Sequence, residues 1–168
     1  MPNLQDLHIC LNNYRTFECL PKCYNVKRIY ISKNPDLTNW EQIKKLLVAF
    51  PHLKSLTMAD CNIAEIPADL HNLLPKLQSL NISNWPINSW TMIDNLNNLP
   101  ELTELRCKGC KILEEFANLE VRRNMLIARL PQIKRLNGSE IVDDERLHAE
   151  RHFVRWFDER KELEKPKR

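Results

Sequence analysis

Glycine is nearly missing from this chain, with only Gly109 and Gly138 among 168 residues. A loop that cradles phosphate needs glycines so that its backbone N–H groups can close on the anion, and no G-x-x-x-x-G-K occurs. Neither G-x-S-x-G nor H-E-x-x-H is present, which removes the commonest hydrolase and zinc-protease arrangements. Acid pairs such as Glu114-Glu115 and Asp143-Asp144 read as solvated helix starts. No catalytic residues are assigned. The chain also lacks Gly-Pro or Ser-rich linkers, so it reads as one domain.

Charge of one sign is equally scarce. The 25 basic and 22 acidic residues leave a net charge of +3. A nucleic-acid footprint needs a basic stripe or patch, and none is visible. The last 26 residues, 143–168, hold eight bases and eight acids, so they are no basic arm. No apolar run approaches the ~20 residues that span a bilayer. The opening Met1-Pro2-Asn3-Leu4-Gln5-Asp6 lacks the basic and apolar parts of a signal peptide, so the expected compartment is the cytosol. Neither nucleic acid nor membrane is an expected partner, and a monomer is expected.

What the chain does have is internal repetition. The pattern L-x-x-L-x-L-x-x-N/C appears as Leu4, Leu7, Ile9, Asn12, then as Val26, Ile29, Ile31, Asn34. It returns as Leu53, Leu56, Met58, Cys61, and as Leu77, Leu80, Ile82 with Trp85 in the last place. Leu102, Leu105, Cys107 and Cys110 make a fifth copy, and Ile133 and Leu136 a truncated sixth. Successive starts lie 22, 27, 24, 25 and 31 residues apart, near the roughly 20–29 of leucine-rich repeats. Positions one, four and six belong to a short strand whose alternation turns four and six inward. Position nine follows the strand, where a buried Asn or Cys can hydrogen-bond free backbone groups. Trp85 is not expected to do this in the same way, so the fourth turn is expected to be distorted, with Asn84 as the substitute.

Proline marks the same register. Pro2, Pro51, Pro75, Pro100 and Pro131 stand two residues before position one, and only the second repeat departs, with Tyr24 there. Proline stops the convex segment before each strand begins. Thr38-Asn39-Trp40-Glu41 reads as a capping box ahead of a stripe of Ile43, Leu46, Leu47 and Phe50. Ser89 is a candidate cap for a helix carrying Ile93 and Leu96. The segment 64–67 is too short and proline-broken for a long helix, and 113–130 is expected to hold a helix ending before Pro131.

The last repeat needs cover, since a solenoid otherwise leaves an apolar end. Asp143-Asp144-Glu145 suits a helix N-terminus. The helix that follows places Leu147, Ala149, Phe153, Val154, Trp156 and Phe157 in one arc, with Arg146 and Glu150 inside it. His148 and His152 fall on the expected solvent face. The fold class is therefore an α/β leucine-rich-repeat solenoid, with a short parallel concave sheet, a helical or irregular convex side and a C-terminal helical cap. Residues 1–136 form the repeats, 137–160 the cap and 161–168 a charged tail.

Positions three and five of each repeat point out of the concave sheet. They are Asp6 and His8, Arg28 and Tyr30, Ser55 and Thr57, Ser79 and Asn81, Glu104 and Arg106, Arg135 and Asn137. Charges and one aromatic lie toward the ends, with small hydroxyl and amide groups between them. These twelve residues are the candidate partner-binding face, with Tyr30 and the arginines as anchors. No metal or other cofactor is expected.

Two motifs narrow the family. Leu136-Asn137-Gly138-Ser139-x-Ile141 leads into Glu145-Arg146 and Ala149-Glu150-Arg151. The run Arg122-Arg123-Asn124-Met125-Leu126-Ile127-Ala128-Arg129-Leu130-Pro131 precedes it. Together they resemble the tubulin-specific chaperone E family. The continuation Glu150-Arg151-His152-Phe153-Val154-Arg155-Trp156-Phe157 is similar to its E-like branch. The distinctive motif covers residues 122–157, while the repeat organisation matches over most of the chain. The resemblance implies a cytoplasmic, cytoskeleton-associated protein that binds tubulin, as the α/β heterodimer or the α subunit, and regulates heterodimer and microtubule stability. Family members carry a ubiquitin-like domain after the repeats, and chaperone E an N-terminal CAP-Gly domain. Neither is found here, so a partial chain or short isoform is expected. The competing reading is a leucine-rich-repeat scaffold or regulatory subunit of another cytosolic or nuclear complex.

Six cysteines remain: Cys10, Cys19, Cys23, Cys61, Cys107 and Cys110. Thiols, not disulfides, are expected in the cytosol. Cys19-x3-Cys23 with Cys107-x2-Cys110 has the form of a zinc set, but more than eighty residues separate the pairs and the register buries the second. Cys61, Cys107 and Cys110 should therefore react slowly with thiol reagents in the native state. Zinc bound at one equivalent and lost in Cys107→Ser would overturn that assignment.

Overall fold

The repeat register fixes a single curved sheet. The computed structural model describes residues 3–18 and 20–163. Pro2, Cys19 of the cysteine pair and residues 164–168 of the tail lie outside the described residues. The strands are β1 (Asp6–His8), β2 (Arg28–Tyr30), β3 (Ser55–Thr57), β4 (Ser79–Asn81), β5 (Glu104–Arg106), β6 (Arg135–Leu136) and β7 (Ser139–Glu140). They pair in chain order, parallel from β1 to β6, with β7 antiparallel to β6. One inward row runs Leu7, Ile29, Leu56, Leu80, Leu105 and Leu136 across the sheet. From Ile29 onward this row is buried, together with Ile31, Met58, Ile82 and Cys107 at position six. Leu4, Leu7 and Ile9, in the first repeat described, are only half-buried.

The strands are short because position eight turns the chain out of the sheet. Leu11, Lys33, Asp60, Asn84 and Gly109 all have positive φ, from 57° to 71°. For a residue with a side chain this conformation costs about 1–2 kcal/mol. Hydrogen bonds to the next repeat offset the cost. The position-eight N–H donates to the position-seven carbonyl there: Leu11 to Ser32 (3.1 Å), Lys33 to Ala59 (2.9 Å), Asp60 to Ser83 (3.0 Å) and Asn84 to Lys108 (2.8 Å). At Gly109 a Cβ would also stand 2.0 Å from Asn84 Oδ1, so any larger residue there would have to displace the Asn84 side chain.

Position nine supplies a second set of donors. Asn34 Nδ2 donates to the Ile9 carbonyl (3.1 Å) and Cys61 Sγ to that of Ile31 (3.4 Å). Trp85 Nε1 donates to Met58 (2.6 Å) and Cys110 Sγ to Ile82 (3.5 Å). The expectation for the fourth repeat is thus corrected. Trp85, 2% exposed, performs the same bond as Asn and Cys because its indole N–H reaches the same carbonyl. Asn84 is no substitute. It occupies the left-handed position and donates from Nδ2 to Asp60 Oδ1 at 2.6 Å.

The convex side is mixed. Helix α1 (Trp40–Leu47) buries Ile43, Leu46 and Leu47, and Phe50 is buried beyond its end. Its cap is Asn39, whose side chain accepts from the Glu41 N–H (2.8 Å), and not Thr38. A short α2 (Leu70–Leu73) follows Pro67. Helix α3 (Trp90–Asp94) continues into a 3-10 turn at Asn95–Asn98, and Ser89 precedes it without a side-chain cap bond. A second 3-10 turn at Lys111–Glu115 leads to α4 (Leu119–Arg129), capped by Asn118.

The cap helix α5 (Asp143–Leu163) packs on α4 through part of the expected arc, rotated toward one edge of it. Leu147, Val154 and Phe157 are 45%, 58% and 46% exposed. The inward face keeps Arg146, Ala149, Phe153 and Trp156 of that arc and adds His152, which leaves the solvent side where His148 remains. Arg146 explains the rotation. Its guanidinium donates to the carbonyl of Ile127 (3.1 Å), in the last turn of α4 where carbonyls lack helical partners, and to that of Ile133 in the segment beyond the helix. Beside it, Arg123 makes two bonds to Glu145, at 2.5 and 3.0 Å, and donates to the Leu136 carbonyl (3.1 Å). Farther along, the Arg129 guanidinium lies between the rings of Trp90 (4.6 Å) and Phe153 (5.2 Å) and bonds Asp94 at 2.9 Å. Phe116 and Trp156 extend this cluster, with centroids 5.9 Å apart. Each cation–ring contact contributes about 0.5–2 kcal/mol.

The Arg123 guanidinium beside Glu145 holds its carboxyl below the ordinary glutamate value of 4.5. The stability from this pair is therefore fully present above about 4.5 and is lost as pH falls through the lower folded value. Melting temperature followed from neutral to acid pH should show a loss that Glu145→Gln makes smaller. An unchanged acid limb in that variant would remove the pair from the cap's stabilisation.

Candidate functional site

Strand register places the concave residues in two rows. Asp6, Arg28, Ser55, Ser79, Glu104 and Arg135 stand side by side, and His8, Tyr30, Thr57, Asn81 and Arg106 form the parallel row. Parallel neighbours lie about 4.8 Å apart, so each row is a continuous line of side chains. Between Tyr30 and Arg106 an open groove of about 290 Å³ runs over Ser55, Thr57, Ser79 and Asn81. Small residues make that depression, while longer side chains rise at either end.

At one end the charges are already matched. Arg28 donates to both oxygens of Asp6, at 2.5 and 2.8 Å. The guanidinium holds the Asp6 carboxyl below its ordinary range, and the carboxylate raises Arg28. His8 and Tyr30 stack with centroids 4.3 Å apart and planes 8° off parallel, giving a flat aromatic platform. At the other end the cations are freer. Arg106 reaches Glu104 only at 3.5 Å, and Arg135 is exposed and enters no salt bridge among the described residues. The Asn81 carbonyl oxygen Oδ1 accepts from the Ser83 N–H at 3.0 Å, leaving its amide protons toward the groove unclaimed by that bond.

Asn137 departs from the row. It lies in the β6–β7 turn with φ 54°, beside Gly138 at 90°, and not on a strand. In earlier repeats the position-six N–H donates to the next position-five carbonyl, as from Ile31 to Thr57 (2.8 Å) and from Ile82 to Arg106 (2.8 Å). Cys107 N–H finds Asn137 Oδ1 instead, at 2.9 Å. The side chain replaces the backbone acceptor that the hairpin has turned away.

No three of the described His, Cys, Asp or Glu side chains group as a metal set. Cys107 and Cys110 are fully buried, and burial raises both thiols, that of Cys110 to about 11. No helix among the described residues is long and apolar enough to cross a membrane.

Comparison with known proteins agrees with this geometry. A family model described as leucine-rich repeat matches residues 34–165. The chain is 40% identical over 161 residues to the tubulin-specific chaperone cofactor E-like protein of Rattus norvegicus, covering 94% of this chain and 38% of that protein. It is 28% identical to the Homo sapiens tubulin-specific chaperone E over 163 residues, 93% of this chain and 31% of that protein. The chain thus spans between three and four tenths of the length of these relatives. A chain of the Drosophila melanogaster SNF/U2A' complex shares the fold, with a TM-score of 0.63 at 20% identity over 88% of this chain and 80% of that one.

The Asn137 bond can be tested against its own backbone. Glycine suits the positive φ at 137 better than asparagine does, so Asn137→Gly relieves strain while deleting the acceptor. Leaving the buried Cys107 N–H unpaired costs about 1–3 kcal/mol, and urea unfolding should show a net loss of stability. Equal or greater stability would mean that the side chain does not close the ladder.

Proposed function

Because the chain belongs to the leucine-rich repeat family, we propose that it is a binding protein and not a catalyst, with tubulin docked on its concave sheet. The observation that carries this reading is the 40% identity, over 94% of the chain, to a protein named for tubulin-specific chaperoning. The two rows of outward side chains support the choice of surface. Arg135 enters no salt bridge among the described residues and Arg106 only the 3.5 Å one to Glu104, so this end of the face suits a partner with an acidic surface. The His8–Tyr30 platform at the far end supplies a rigid aromatic anchor, and the shallow groove between them takes an extended segment of partner. Arg28 plays a smaller part than its charge suggests, because Asp6 already holds it. Either the heterodimer or the α subunit is the partner, in the cytoplasm and on the cytoskeleton, and the result is regulation of heterodimer and microtubule stability.

Charge reversal tests the surface. Arg106→Glu with Arg135→Glu should weaken tubulin binding by at least about tenfold, equivalent to about 1.4 kcal/mol, and flatten its dependence on salt. Tyr30→Ala should also weaken binding, with little change in salt dependence. Lys45→Glu on the exposed convex face of α1 serves as control and should do little. Interferometry against the tubulin dimer at two ionic strengths, with circular dichroism to confirm folding, measures all three. Equal losses from the concave and convex variants, or no binding by the unaltered chain, would overturn the assignment.

A further inference from the structure

The stack stops partway through a repeat, and a cleft of about 460 Å³ opens at that point. It lies among the turn after β5, the start of α4 and the β6–β7 hairpin. Leu113, Leu119 and Leu126 give it an apolar lining, with Leu119 73% exposed, while Lys108, Arg122 and Arg123 give it positive charge. The cause is visible in the ladder. Four position-eight N–H groups donate to the next repeat, but the hairpin at Asn137 and Gly138 carries the sixth repeat away, and the corresponding rung from Gly109 is missing. Gly109 therefore faces the cleft with its backbone exposed.

The cations there are not all accounted for. Glu145 neutralises Arg123. Arg122 donates from Nε to the uncharged Phe116 carbonyl at 2.6 Å, and among the described residues neither Arg122 nor Lys108 enters a salt bridge. Arg122 also stands in the first turn of α4, where the helix dipole is positive and a cation is disfavoured unless an anion joins it. An apolar cavity with two uncompensated cations and an open N–H calls for a ligand that is part apolar and part anionic.

We propose that this cleft receives an acidic peptide segment carrying one bulky apolar side chain. The apolar group enters among Leu113, Leu119 and Leu126. Flanking carboxylates meet Lys108, Arg122 and the Gly109 N–H. Two free cations are too few to track a phosphate backbone, and an apolar lining offers a polyanion nothing. This site is separate from the concave groove and does not rest on the tubulin reading.

The probe is a fluorescein-labelled peptide of glutamates around one central phenylalanine, titrated with the full 168-residue chain and read by fluorescence anisotropy. Affinity should fall at least about tenfold when the phenylalanine is replaced by alanine, and likewise in Lys108→Glu and in Leu119→Asp. Both altered residues are exposed, so circular dichroism should show an intact fold. Arg122→Glu should behave as Lys108→Glu does, and Lys45→Glu should leave binding unchanged. No binding, equal affinity for the alanine peptide or for oligothymidylate, or an equal loss in Lys45→Glu would each overturn the proposal.

Discussion

Everything in this fold depends on finding donors for carbonyls that the sheet cannot serve. In the first four repeats the position-six carbonyl lies just beyond the end of a three-residue strand, where a buried unpaired acceptor would cost about 1–3 kcal/mol. A side chain at position nine of the following repeat supplies a donor at Ile9, Ile31, Met58 and Ile82, joined at Ile31 by Asn34 Nδ2 and at Ile82 by the Trp85 N–H of the same repeat. That bond sets the spacing between turns, and the left-handed residue at position eight aims the chain so that it forms. Strand register, concave rows and curvature all follow from repeating one satisfied turn.

Much of this was legible in the residues because the inward positions are apolar for a reason that shows in sequence. Leu56, Leu80 and Leu105 had to be buried once the period was recognised, and the outward rows followed by alternation. The departures share a cause: residue type suggests one placement, whereas the structure uses side chains by reach. Trp85 was expected to distort its turn, yet its N–H lies where an Asn amide would. Hydrophobicity alone places Leu147 and Val154 inward, but they stay exposed, and the arc's inner edge is anchored by Arg146, which two carbonyls need. The left-handed turns are legible only in the later repeats, where Asp60, Asn84 and Gly109 suit positive φ, since Leu11 and Lys33 are not residues that announce it. Convergence of Lys108 and Arg122 was hidden for a simpler reason, as they belong to different elements.

The chemically available groups gather where the repetition fails. Within the stack, polar side chains are committed to neighbours: Asn34 to backbone, Asn84 to Asp60, Arg28 to Asp6. At the sixth repeat the backbone pattern breaks: Asn137 is spent on the Cys107 N–H, while Gly109, Lys108 and Arg135 are left with capacity that the fold does not consume. A domain of uniform repeats gains specificity at its irregular end, because uniform positions satisfy one another.

The Arg129 clamp also changes how the molecule comes apart. In a stack of repeats each interface opens on its own, so structure is lost one unit at a time from an end. Arg129 and Phe116 bind the convex side of the fourth repeat to the cap across the fifth. Two interfaces that would open separately must then open together, and the region from α3 to α5 becomes one cooperative block. Hydrogen exchange would divide the amides accordingly, with a graded series over the first three repeats and a shared, slower rate over the rest.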